Sequence, residues 1–281
     1  MQVVACRMRP FLALLLALAL SPAASAFAAP LVVGTYAYPD RDRVAAVQPL
    51  ADLVGARSGR PVQVVLWPSP SALVDAFRGG AADVIVPNLH AYLEARAGAV
   101  TLPVPDVSPA HAARYRSVIV ARGIERIGQL TPARVARLRL ALVAPDSASG
   151  GFVPLARLRG EGVGPEAFAS VEYAGSHAAV GHMLADGRAD IGALAAEVHD
   201  AAPPAGLAVL WRSAPIPPGP LLCRRAAHVP CHDIARWLLE SNTDVEGVLA
   251  GLRAGWPEFG DAVRFREATG IADAPDAAVA P

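Results

Sequence analysis

From residue 31 onward, short apolar runs alternate with stretches in which apolar side chains return every three or four positions. The runs at 31–36, 62–67, 82–86, 116–121, 138–144, 171–174, 191–194, 208–211 and 220–223 predict strands. Between 44 and 56, Val44, Val47, Leu50 and Val54 form one stripe and predict an amphipathic helix. Further helices are expected over 72–77, which Ser69 or Ser71 can cap and Gly79-Gly80 ends, and from Asn88 through Arg96. The same pattern predicts helices from Ser149, from the Gly175-Ser176 turn through Leu184, and over 234–240, 245–252 and 257–268.

Strand–helix alternation of this kind argues for an α/β architecture with mostly parallel sheets. The elements fall into two groups, 31–105 and 116–204. The Pro-rich stretch 102–109 and the Pro203-Pro204 turn are the natural crossings between two lobes. The expected organisation is an export signal over 1–26, a first lobe over 27–112, a second over 113–207, a return to the first over 208–270, and a loose Ala/Pro/Asp-rich tail over 271–281.

The expected signal rests on Arg7 and Arg9, the apolar run 11–20, the break at Ser21-Pro22 and the small-x-small pattern Ala24-Ser25-Ala26. The run is too short for a permanent membrane anchor, and no later segment approaches the ~18 apolar residues a span requires. Cleavage after Ala26, with Ala28 as the second choice, leaves about 255 residues, enough for one large domain or two lobes. The location implied is the periplasm.

Charge narrows the partners. The chain has 25 basic and 25 acidic residues and no lysine. A near-neutral chain without a basic run argues against nucleic acid. Outside the apolar leader only Cys223 and Cys231 remain, suited to a disulfide across a short loop or to two buried thiols. With His228 and His232 they also invite a metal reading, but the spacing fits no standard zinc pattern. No metal and no cofactor are expected.

Four strand-to-helix turns carry small polar residues: Ser69-Pro70-Ser71, Asn88-Leu89-His90, Ser147-Ala148-Ser149-Gly150 and Gly175-Ser176-His177. Helix starts present unpaired N–H groups and a positive dipole end, both suited to an anion. Any single turn of this type is more often only a cap. The Ser147 turn, however, is denser in hydroxyls and glycines than a cap requires. The Gly175 turn adds a histidine that can donate to an oxyanion and gain charge near neutral pH.

In order along the chain, several segments resemble the phosphonate/phosphite/phosphate-binding proteins of ABC importers. They are Leu31-Val32-Val33-Gly34-Thr35, Ala82-Asp83-Val84-Ile85-Val86 with Tyr92, Asp146-Ser147-Ala148-Ser149-Gly150-Gly151, and Tyr173-Ala174-Gly175-Ser176-His177. The segments 184–193 and 213–221 complete the likeness. The resemblance implies a type 2 periplasmic-binding-protein fold, with two lobes and a ligand cleft between them. It further implies a small oxyanion ligand, an ABC permease as partner, a soluble monomer and no enzymatic activity. By the same match Ser147, Ser149, Gly150, Ser176 and His177 would contact the ligand, with Tyr36, His90 and Tyr92 as first-lobe contacts. Asp190 reads as a structural acid. Ala148 departs from the family pattern, which usually has Thr there, and so withholds one hydroxyl donor.

Three other functions fit parts of the sequence. An exported sensor subunit would use the same lobes. A hydrolase would need Ser149 or Ser176 to work with His177, although no Gly-x-Ser-x-Gly elbow is present. Capture of a metal or other small solute would rest on scattered histidines.

Overall fold

A computed structural model of the chain describes residues 29–39 and 41–268. The expected export signal and the loose tail lie outside the described residues.

The chain enters on β1 (Leu31–Tyr36) and α1 (Arg43–Ser58). Asp42 caps α1 by accepting from the Ala45 N–H at 2.9 Å. Then come β2 (Val62–Trp67), α2 (Pro70–Arg78), β3 (Val84–Ile85), α3 (Leu89–Ala95), β4 (Val100–Thr101), β5 (Val104–Pro105) and α4 (Pro109–Ala112). The chain crosses and builds β6 (Ser117–Arg122), α5 (Pro132–Val135) and β7 (Arg139–Leu142). After a π-helical turn (Ala148–Phe152) come α6 (Val153–Gly160), β8 (Ser170–Tyr173), α7 (His177–Ala185), β9 (Ile191–Ala195), α8 (Ala196–Ala201) and β10 (Leu207–Arg212). It returns through β11 (Leu222–Cys223), α9 (Cys231–Leu238), α10 (Thr243–Gly255), a 3-10 turn (Pro257–Phe259) and β12 (Phe265–Arg266).

Two five-stranded sheets result, ordered β2-β1-β3-β11-β4 and β10-β6-β9-β7-β8. Each is covered on both faces by apolar clusters. Val33, Val47, Leu50 and Trp256 lie in the larger cluster of the first sheet; Leu140, Leu158 and Ile191 fill one side of the second. This is the two-lobe α/β fold expected from the alternation.

Three expectations need correction. The sheets are mixed rather than mostly parallel: β1 pairs β2 and β3 in parallel and β7 pairs β8 and β9 in parallel, but β6, β10 and β11 run antiparallel to their neighbours. The second crossing falls after β10, since residues 207–212 pair with β6 instead of returning to the first lobe. Finally, 257–268 is no helix. Phe259, Ala262 and Phe265 recur every three residues and are all buried, which mimics a helical stripe, yet the backbone makes a 3-10 turn and a strand.

The two crossings are bonded to each other. The Ser117 N–H donates to Ser213 Oγ at 3.0 Å, the Ser213 N–H to the Ser117 carbonyl at 2.9 Å, and the Ile216 N–H to the Tyr115 carbonyl at 2.8 Å. Cys223 and Cys231 form a disulfide that ties β11 to the start of α9.

Candidate functional site

A cavity of about 690 Å³ lies between the lobes. Its wall is assembled from the segments just past the carboxyl ends of β1, β2, β3, β7, β8 and β9, together with Tyr115 from the first crossing and Glu258 from the 3-10 turn. Ligands of open α/β sheets bind at that end of the strands.

Three serines on the wall are helix caps with an unused proton. Ser69 Oγ accepts from the Ala72 N–H at 3.1 Å, Ser147 Oγ from the Gly150 N–H at 3.3 Å, and Ser176 Oγ from the Ala179 N–H at 3.1 Å. Each hydroxyl thus spends a lone pair on its own helix or turn and keeps its O–H free to donate. Gly175, at φ +80°, allows the tight turn that brings Ser176 and His177 to the wall.

His177 is the most constrained of these groups. Its Nδ1 accepts the Ala195 N–H at 3.0 Å, so in the neutral ring the proton sits on Nε2. Nε2 lies 3.4 Å from Ser149 Oγ. Burial lowers the imidazole pKa to about 4, because desolvation penalises the charged form. The expectation that His177 gains charge near neutral pH is therefore corrected: it is a neutral N–H donor across the physiological range.

Ser149 is 1% exposed and stands one layer behind the wall, between His177 and Tyr115. Gly150 packs there too. A Cβ on Gly150 would come within 2.2 Å of the Val143 side chain and 3.0 Å of the His177 ring. Both residues position the ring from behind.

On the first lobe Tyr36 and Tyr38 line the cavity. Burial raises the pKa of both phenols, and raises Tyr115 well above its ordinary value, so all three remain neutral donors. The Tyr38 oxygen accepts the backbone N–H of His177 at 3.4 Å across the cleft.

Other expected first-lobe residues serve different ends. His90 packs edge-to-face on Phe152 with ring centroids 5.0 Å apart, and Tyr92 is buried in the core beneath Arg96; neither lines the cavity. Ser71 donates its N–H and hydroxyl to Asp146 at 3.0 and 2.8 Å, while Asn88 Nδ2 donates to the Asp146 carbonyl at 2.8 Å. The start of α2 is thus occupied by a carboxylate from the opposite lobe, a clasp between the two. Asp190 takes Arg139 through both carboxylate oxygens on the second sheet, away from the cavity, in keeping with a structural acid. Sequence reasoning missed Tyr38, Arg43, Tyr115 and Glu258. Only Tyr38, two residues past Tyr36 at a strand end, carried a local signal.

Among the described residues no group of three or more His, Cys, Asp or Glu side chains is arranged to hold a metal ion, and no helix is long and apolar enough to cross a membrane.

Comparison with known proteins gives the geometry a context. Residues 33–262 match the family described as "ABC transporter, phosphonate, periplasmic substrate-binding protein". No curated protein sequence matches. Among solved structures, the chain is similar to PhnD1 from Prochlorococcus marinus in complex with methylphosphonate (18% identity, 86% of this chain and 93% of that one, TM-score 0.62). It is also similar to a binding protein component of an ABC phosphonate transporter from Pseudomonas aeruginosa (21% identity, 84% and 81%, TM-score 0.60). A third is a Xanthomonas citri protein solved bound to ATP (19% identity, 87% and 93%, TM-score 0.66). At these identities the three structures speak for the fold.

Proposed function

We infer the cargo from the premise that this chain belongs to the phosphonate periplasmic substrate-binding proteins of ABC transporters; we propose that it captures a small tetrahedral oxyanion, a phosphonate, phosphite or phosphate, and delivers it to a permease. Export through the segment 1–26 is part of the same reading. The observation that carries it is the convergence of polar groups on one cavity: the uncommitted hydroxyl protons of Ser147 and Ser176 and the His177 ring, whose Nε2 lies 3.4 Å from Ser149, from the second lobe, faced by the phenols of Tyr36 and Tyr38 from the first. A closed, dry cleft strengthens each such donor, so an anion can be held without lysine. Ser149 and Gly150 act through His177 by fixing its ring.

The tautomer argues against a hydrolase. A serine nucleophile needs a histidine whose Nε2 accepts while its Nδ1–H is donated. Here Nδ1 is the acceptor, so Nε2 points a proton toward Ser149.

Thermal shift and calorimetric titration with methylphosphonate, phosphite, phosphate and sulfate test the proposal. A ligand at a hundred times its Kd stabilises by about 2.7 kcal/mol, a readily seen rise in Tm. A flat response to all the phosphorus oxyanions would overturn it.

A further inference from the structure

Arg43, the first residue of α1, lines the same cavity and is 5% exposed. Its guanidinium carbon lies 4.0 Å from the Trp256 ring, 4.5 Å from Tyr36 and 5.6 Å from Tyr38. Among the described residues, its Nε and Nη1 have no hydrogen-bond partner. The acid in its field is Glu258, 7% exposed, whose pKa is raised by burial; Arg43 lowers it through space and not through a hydrogen bond.

Ring faces offset part of the cost of a desolvated cation, but they leave N–H edges of the guanidinium short of an acceptor: Nε and Nη1 are unpartnered and shut from solvent, although the guanidinium also engages the Tyr36 phenol. Those edges match a carboxylate, which can take two parallel bonds from the fork. Three rings fix the orientation of the fork before any guest arrives.

The spacing also fits. The Tyr38 ring is 6.3 Å from the His177 ring and 5.6 Å from the Arg43 guanidinium, so Arg43 and His177 lie no more than about 12 Å apart. After contacts of about 3 Å at each end, that upper bound leaves at most about 6 Å, so the spacer is short, no more than about three carbons. The cavity of about 690 Å³ would hold on the order of twenty waters at about 30 Å³ each, several times what a five-atom oxyanion displaces.

We propose that the guest is two-headed: its oxyanion sits against Ser147, Ser176 and His177, and a carboxylate at its other end is clamped by Arg43. The class of ligand is a short phosphonocarboxylate. This inference rests on the oxyanion reading of the cleft, and its failure is separable from the failure of that reading.

Calorimetric titration of the mature chain with methylphosphonate, phosphonoacetate, 3-phosphonopropionate and 2-aminoethylphosphonate decides it. A phosphonocarboxylate is expected to bind ten- to a hundredfold more tightly than methylphosphonate. In Arg43→Met, which keeps an apolar stem among the rings, that ratio collapses toward one. If the variant does not fold, the wild-type ratio alone decides. Equal affinities for methylphosphonate and both phosphonocarboxylates overturn the Arg43 subsite and leave the oxyanion reading intact. Tightest binding of the amino compound overturns the carboxylate class in favour of an ammonium beside Glu258. Binding of none of the four overturns the oxyanion reading and this inference with it.

Discussion

Acid should destabilise this protein through His177, by an amount its surroundings fix. The ring titrates at about 4 in the folded chain, against an ordinary value of 6.5. A depressed histidine pKa means the unfolded chain binds the proton first. Its contribution is therefore complete above pH 6.5 and is lost as pH falls from there toward 4. About 2.5 pH units at 1.36 kcal/mol each gives roughly 3 kcal/mol. The structure supplies the cause: burial, and an Nδ1 committed to the Ala195 N–H. Protonating Nδ1 would set two N–H groups against each other. The perturbation is His177→Asn, whose amide oxygen stands where Nδ1 stands and does not titrate. The assay is urea unfolding of both proteins from pH 8 to pH 4. The difference in unfolding free energy between wild type and variant should shrink by roughly 3 kcal/mol between pH 6.5 and 4. Acids with lowered pKa values, such as Asp200 and Asp190, weaken both proteins alike and cancel. A difference that stays constant across that range would refute the argument.

Other consequences are as concrete. Gly150→Ala forces a Cβ into the Val143 side chain and should cost about 1–3 kcal/mol of stability, read by chemical denaturation, with weaker binding because the His177 ring is displaced. Replacing both cysteines by serine removes a cross-link over a sequence separation of 8; chain entropy puts the loss at about 2.5 kcal/mol, visible as a lower Tm that reductant reproduces in the wild type. Asp146→Ala cuts the clasp to Ser71, and small-angle scattering of the ligand-free variant should give a larger radius of gyration than wild type.

The fold was legible wherever local pattern decides it. The span of β1 and β2, the caps at Asn88 and Ser176, and the turns that end in glycine follow from residues a few positions apart. Strand direction was not, because β11 finds β3 and β4 from more than a hundred residues away. The site divides along the same line. Ser147, Ser176 and His177 announce themselves as hydroxyl, glycine and imidazole packed into two turns. Arg43 and Glu258 reach the cavity only because α10 brings Trp256 and its neighbours against α1, and no spacing in the sequence encodes that approach. His90 and Tyr92 sit in the expected helix, yet a helix of seven residues has several faces, and theirs serve packing.

The paired crossings make the second lobe a cassette. Residues 117–212 hold all five of its strands in one unbroken stretch, and its two ends meet at Ser117 and Ser213. Such a unit can be excised or exchanged at a single seam without cutting any strand of the host. Half of the binding wall travels with it, so a graft from a relative would transplant the serine–histidine donors while Arg43 and the aromatic rings stay behind, which makes the cleft separable into two interchangeable halves of specificity.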